Sequence, residues 1–211
     1  MESKKVFNYL IKVFWVFILG CLFGWVVETI LNFLQTSNFQ SRQGLIYGPF
    51  AQVYGLGAVS FYLVLPKLKS IWAIFFAAAI LGGVVEYLCS FFQEYFFGTV
   101  SWDYTNLMFN LHGRTSLSYA IIWGILGIWF IKVIYPKLSI MDTILNRISF
   151  KYVTAFVALF MIFNIVISSM AGYRHRQRMQ NITARNNLDM FLDQYYPDYI
   201  IDRVYANKIH K

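Results

Sequence analysis

An all-α polytopic membrane helical bundle is the fold class this sequence predicts, and composition, apolar runs and the placement of charge each point to it. Of 211 residues, 58% are hydrophobic, 20% aromatic and only 13% charged, with mean hydropathy +0.52. A soluble domain of this size does not solvate so apolar a chain. Runs long enough to cross a hydrocarbon core of about 30 Å fall near 13–34, 48–65, 71–97, 115–135 and 152–171, which predicts about five transmembrane helices. The first run follows Lys4 and Lys5 as a signal peptide would. Its apolar stretch is too long for such a peptide and no small-x-small cleavage site follows, so it is expected to stay as an anchor.

The formal net charge of +8 reflects orientation in the lipid bilayer and not nucleic-acid binding, because the basic residues sit at the ends of spans. With the amino terminus cytoplasmic, the inner segments hold Lys4, Lys5, Lys12, Lys67, Lys69, Lys132, Lys137, Arg147 and Lys151, and the outer loops hold Arg42 and Arg114. That is the positive-inside pattern. Five spans put the tail outside, whereas Arg174, Arg176 and Arg178 directly after the last span favour the cytoplasm. The expected division is a transmembrane domain over 1–173 and a tail over 174–211.

The motif content excludes several classes. Cys21 and Cys89 both fall inside spans and read as packing residues, and His112, His175 and His210 have no ligand spacing, so no metal or cofactor is expected. There is no G-x-S-x-G and no G-x-x-x-x-G-K-[ST]. If ATP drives this protein, a separate ATP-binding subunit must bind it.

Two stretches carry the polar chemistry. GWVVE at Gly24–Glu28 and GGVVE at Gly82–Glu86 each place a carboxylate in an apolar helix, followed at the same offsets by Asn32 and Gln35, and by Ser90 and Gln93. They open longer matching units, 24–68 and 82–138, which share Tyr54-Gly55 against Trp123-Gly124 and both end on Pro-Lys-Leu. Two helices per unit make this a parallel tandem repeat about an axis along the membrane normal. A carboxylate in hydrocarbon costs about 2.5–3.5 kcal/mol, so each Glu is expected to face the bundle interior or water. At about 1.5 Å per residue, Glu28 lies on the order of 8 Å below the outer end of its span. Gly24 and Gly82 would let neighbouring backbones approach closely.

The outer loops, 41–50 and 98–114, are richer than spacers need to be. Trp102, Asp103, Tyr104, Asn110, His112 and Arg114, with Tyr47 and Glu94, are candidate ligand contacts that would fold over the carboxylates as a lid. An interfacial aromatic belt explains Tyr47, Trp102 and Tyr104 as well. Arg114 is expected to pair with Glu28 or Glu86.

Glu28, GLIYGPF at Gly44–Phe50, Tyr54-Gly55, Glu86, Glu94, WDY at Trp102–Tyr104 and NLHGR at Asn110–Arg114 together resemble the bacterial membrane family of CmpB-type, type IV ABC transporter permeases. The resemblance spans about 20–138. The chain departs from it at Arg42-Gln43-Gly44, where members carry Asn-Arg-Gly, and at His112, where Asn is common; prolines expected near Gln52 and Met108 are absent. The resemblance implies a multi-pass protein of the bacterial cell membrane and a transport role.

Three readings follow from the residues. In the first, a permease or solute-binding subunit lines a cavity near the outer leaflet with Glu28, Glu86, Glu94 and Arg114. In the second, the same groups are structural ion pairs that lock loops to the bundle. The third, an intramembrane acid–base enzyme, has ionisable groups but no nucleophile or metal set. Ile140, Ile144, Leu145 and Ile148, beside Asp142, Asn146 and Arg147, form a short amphipathic stretch read as a surface connector, where an ATPase could also dock. The tail, with Phe191, Leu192, Tyr195 and Tyr199 at helical spacing up to Pro197, reads as an ordered appendage against the membrane or a partner, and a homo-oligomer is compatible with all of this.

Overall fold

The computed structural model describes residues 2–145 and 147–211, with the side chains at 2–4 and 142 outside the description. The readings placed on Lys4, Asp142 and Asn146 therefore fall outside it. In chain order the elements are α1 (Glu2–Thr36), α2 (Gln52–Val64), α3 (Ile71–Phe97), β1 (Thr99–Val100), β2 (Asn110–Leu111), β3 (Thr115–Ser116), α4 (Leu117–Trp129), α5 (Ile140–Ile144), α6 (Ile148–Met179), α7 (Asn187–Tyr195), α8 (Asp198–Val204) and β4 (Ile209–His210).

Among the described residues, four helical stretches are long and apolar enough to cross a membrane: Lys5–Thr36, Ile71–Phe97, Leu117–Ser139 and Ile148–Met179. This is an all-α membrane bundle. The stretch 48–65, expected as a further span, forms the 13-residue α2, about 20 Å long. The reason lies in the preceding segment. After Thr36 the chain does not turn tightly but runs back down along α1, until the Ala51 amide donates to the Cys21 carbonyl at 3.1 Å, midway down that helix. Only the lower part of the return is then left for α2. Polar groups buried in α6 fix the descending segment: Ser168 Oγ accepts from the Ile46 amide at 2.9 Å, and Asn164 Oδ1 from the Tyr47 amide at 3.1 Å. Non-helical backbone at such depth needs partners of this kind, because lipid offers none.

Close glycine contacts join α1 to α2, and α3 to α4, as antiparallel pairs. A Cβ at Gly24 would stand 2.3 Å from the Tyr54 ring, and one at Gly82 would stand 2.1 Å from Trp123. One turn lower, Gly20 meets Ala58 as Gly127 meets Ala78, and between these levels Phe17 reaches Gly55 as Phe75 reaches Gly124. Small residues at such crossings let backbones approach where lipid supplies no hydrophobic drive between helices. The aromatic-glycine pairs are 69 positions apart, from 54 to 123, and the prolines 70, from 66 to 136. Phe130–Ile134, in the second pair, form a wide π turn. From Trp123 downward, Val16, Phe61, Leu65, Ile74, Phe130, Leu138 and Met141 complete the main apolar core.

The connector after α4 differs from the expected amphipathic face. Its helix is only Ile140–Ile144, and the side chains turned inward are Met141 and Leu145, while Ile140 and Ile148 are exposed. The chain must climb directly into α6 from Arg147, so Leu145 seals the joint and Ile148 starts a new helix facing outward.

The tail packs at the end of the bundle opposite residue 2. Here β4 pairs antiparallel with β1, His210 facing Thr99, and Leu192, Tyr196, Ile201 and Tyr205 pack on Ile46, Ile167 and Ala171. Two of the three arginines that favour the other side are paired with carboxylates locally. Arg174, about 2% exposed, makes a two-pronged pair with Asp193 at 2.8 and 2.7 Å. Arg178 bridges Asp193 and Asp198, both at 2.7 Å, and Arg176 donates to the Tyr95 and Phe96 carbonyls that end α3.

Two outcomes are expected. Gly82→Ala drives a methyl into the Trp123 indole and should cost about 1–3 kcal/mol by overpacking, whereas Gly83→Ala, with its nearest neighbour at 3.7 Å, should change thermal stability in detergent little. Asp193→Asn strands the buried Arg174 and should cost about 3–5 kcal/mol. Arg174 first, and then Arg178, hold the Asp193 carboxyl below its ordinary value of 3.8. A depressed folded-state pKa gives stability that is complete above the ordinary value and is lost as pH falls below it. Acid unfolding curves of parent and Asp193→Asn should therefore converge at low pH.

Candidate functional site

Glu28 and Glu86 both line one cavity of about 780 Å³, walled by α1, α3, α4 and the loops 37–51 and 98–114. The polar stripes that follow them turn the same way: Asn32, Gln35 and Gln93 also line it. Glu86, about 5% exposed, is held by neutral donors, with Thr115 Oγ1 at 2.8 Å from Oε2 and the Tyr104 hydroxyl at 3.0 Å from Oε1. Tyr104 in turn stacks on Tyr119 with ring centroids 4.1 Å apart. Glu28 accepts from the Tyr54 hydroxyl at 2.6 Å and faces Arg42 Nε at 3.9 Å, and its side chain is about 34% exposed. Tyr54 reaches Glu28 because its ring lies flat against the open face of Gly24, one turn below on α1. Hydroxyl and guanidinium donors are what a carboxylate needs where water is scarce.

Arg114 does not pair with Glu28 or Glu86. Its Nη2 donates to Glu94 Oε2 at 2.5 Å, and its guanidinium lies 5.5 Å from the ring centroids of both Tyr87 and Phe91. The reason is register. Glu94 lies two turns above Glu86 on α3, level with the turn from β2 to β3, whereas the residue after Arg114 is the one that reaches down to Glu86. Arg114 thus belongs to a second, smaller pocket of about 110 Å³, lined by Ser90, Glu94, Trp102, Asp103, His112 and Lys211 among others.

The remaining expected site residues divide between these two places. Trp102 and Asp103 line both pockets and Tyr104 lines the large one. Trp102 Nε1 donates to the Arg114 carbonyl at 2.8 Å, fixing the loop to the start of β3. Asp103 pairs with Lys211 at 2.6 Å, and that contact, with its hydrogen bonds to Thr105, holds its carboxyl down to about 2. His112 meets the Tyr87 hydroxyl at 3.0 Å. Asn110 lines neither pocket and shapes the loop, donating to the Thr105 and Leu107 carbonyls and accepting from the Gly113 amide. Tyr47 lies apart, its hydroxyl 2.8 Å from that of Tyr196.

Sequence reasoning left out Thr115, Tyr119 and the hydroxyl of Tyr54 as carboxylate neighbours, and the tail residues Asn207 and Lys208 as part of the cavity wall. It also left out Asn164 and Ser168, four apart on an otherwise apolar span, a spacing that marks one polar face. Burial lowers the Lys208 pKa to about 8. His175 and His210, distant in sequence, meet beside Asp202.

A double-mutant cycle tests the assignment of Arg114. Arg114→Ala and Glu94→Gln should each cost about 1.5–3 kcal/mol, the range for a charged hydrogen bond, and should show strong coupling to one another in detergent thermal stability. Arg114→Ala and Glu28→Gln should be additive within about 0.5 kcal/mol.

Comparison with known proteins adds one relationship. No curated protein and no solved structure matches the chain. A family described as "Putative ABC-transporter type IV" matches residues 15–169, from Trp15 in α1 to Ser169 in α6, with both carboxylates and the loops 37–51 and 98–114. By that match the chain belongs to this ABC-transporter family of apolar, membrane-type helices.

Proposed function

We propose that this protein is a permease-type subunit that takes a small polar solute into the cavity between its two helical pairs. The carrying observation is that Glu28 and Glu86, from two different helices, line the same 780 Å³ space beside aromatic walls and amide side chains. A polar group aimed into a largely apolar pocket is the usual composition of a solute site. On this reading the units 24–68 and 82–138 are a parallel tandem repeat and α2 serves as the return pass of the first, giving five passes. The matched glycine contacts of the two pairs support that relation. The amino terminus is cytoplasmic, as the lysine distribution favours, and the cavity opens to the outer side of a bacterial cell membrane. Energy comes from a separate ATP-binding subunit docked near α5, since the chain has no nucleotide-binding loop of its own.

A second reading is favoured by the fact that every one of these carboxylates already has an internal partner. In it, the contacts hold the loops and tail to the bundle in an accessory membrane protein. One experiment separates the two. Purified full-length protein in detergent is screened by thermal shift against a panel of small polar solutes. A solute at about a hundred times its Kd stabilises by about 2.7 kcal/mol. The transport reading expects such a shift in the parent and its loss in Glu28→Gln and in Glu86→Gln. A solute shift that survives both substitutions overturns it, and two variants that merely melt earlier with no solute response in the parent support the accessory role.

A further inference from the structure

The tail holds a second cluster of ligating side chains, outside the cavity and outside the residues matched by the family. His175 projects from the last turns of α6, Asp202 from α8 and His210 from β4. One ligand atom from each lies within 4.8 Å of the others. The His175 and His210 rings are 5.8 Å apart between centroids.

The state of His175 distinguishes this cluster from a chance grouping. The residue is about 1% exposed. Its Nδ1 lies 2.8 Å from Asp198 Oδ1, and Asp198 also accepts from Arg178 Nε at 2.7 Å. A proton on Nδ1 satisfies that contact and leaves the Nε2 lone pair free. Nε2 is buried and makes no hydrogen bond among the described residues; Asp202 Oδ1, at 3.6 Å, is too far. A neutral imidazole anchored by a carboxylate on one nitrogen, with the other aimed at a second imidazole and a second carboxylate, is the carboxylate–histidine–metal arrangement. Leaving a buried ring nitrogen without a partner is otherwise costly.

We propose that His175 Nε2, Asp202 and His210 bind a divalent first-row transition metal, with Zn²⁺ the best match to two imidazoles and one carboxylate. Three protein ligands leave a fourth, tetrahedral position for water. The imidazoles disfavour Mg²⁺ and Ca²⁺, which take oxygen donors. Metal–ligand distances of about 2.0–2.2 Å require the three atoms to draw closer than 4.8 Å. Asp202 and His210 are exposed, so rotation of those two side chains can close the site around the fixed His175. The metal then ties β4 to α6 and α8, and with β4 it secures Lys208 and Lys211, which stand at the large and small pockets respectively.

The test is calorimetric titration of Zn²⁺ into the tag-free, metal-stripped full chain in detergent, with thermal melts in parallel. One Zn²⁺ per chain is expected, undisturbed by excess Mg²⁺, with a rise in Tm. His210→Ala and Asp202→Asn, at exposed positions that should leave the fold intact, are each expected to weaken binding at least tenfold and to abolish the Tm rise. His112→Ala, in the other pocket, is expected to bind as the parent does. Absence of Zn²⁺ binding by the folded parent, or affinity unchanged in both His210→Ala and Asp202→Asn, overturns the assignment and leaves His175 as an anchor for α8 through Asp198.

Discussion

A carboxylate inside an apolar helix pair is tolerable only when the protein itself supplies the donors that water would have supplied, and much of this structure is arranged around that requirement. Glu86 receives Thr115 and Tyr104, both carried by the loop between α3 and α4. Neither donor arrives unless that loop folds back over α3, which Trp102 enforces through the Arg114 carbonyl and Asn110 through three backbone groups. Glu28 receives Tyr54, and that contact exists only because Gly24 leaves room for the ring. The glycines, the loop residues and the carboxylates are therefore one design: close helix approach positions aromatic hydroxyls, and the hydroxyls make buried charge affordable in a medium that otherwise penalises it.

Periodicity made much of this legible in advance. Apolar runs and paired Gly-x-x-x-Glu stretches were enough to expect a membrane bundle with carboxylates turned inward, and the polar stripe beyond each Glu does face the cavity at Asn32, Gln35 and Gln93. The expected ion pair between Arg114 and a cavity carboxylate failed because loop register cannot be read from composition. A shift of one residue hands Glu86 the neutral Thr115 and sends Arg114 upward to Glu94. The depth of the segment before α2 was hidden for a related reason. Residues 41–50 read as an outer loop, and only the partners Asn164 and Ser168, over a hundred positions away, reveal that Ile46 and Tyr47 descend beside α6 as irregular backbone. Contacts of that separation leave no local pattern. The tail shows the same limit, since His175 and His210 come together only after β4 pairs with β1.

The two helical pairs share their contacts but not their lengths, and the difference sets the character of each carboxylate. Helix α2 begins two residues before Tyr54, at Gln52, whereas α4 begins six residues before the matching Trp123, at Leu117. The second pair thus has an extra turn of helix beside its Glu, and Ser116, capping that helix from the adjacent position, brings Thr115 directly against Glu86. The first pair lacks this turn because its chain has left toward α6. The space beside Glu28 is filled instead by Arg42 at 3.9 Å, too far for a tight pair. One carboxylate is consequently enclosed by neutral donors and about 5% exposed as a residue. The other is loosely countered by Arg42, with its side chain about a third exposed. On the transport reading proposed above, a solute entering the cavity would meet Glu28 where its nearest cation, Arg42, stands 3.9 Å away. On the same reading Glu86 would keep Thr115 and Tyr104, because losing them leaves a buried carboxyl group without partners. If the protein transports as proposed above, Glu28 would be the group with which an incoming solute exchanges partners, and Glu86 the fixed wall against which it is held.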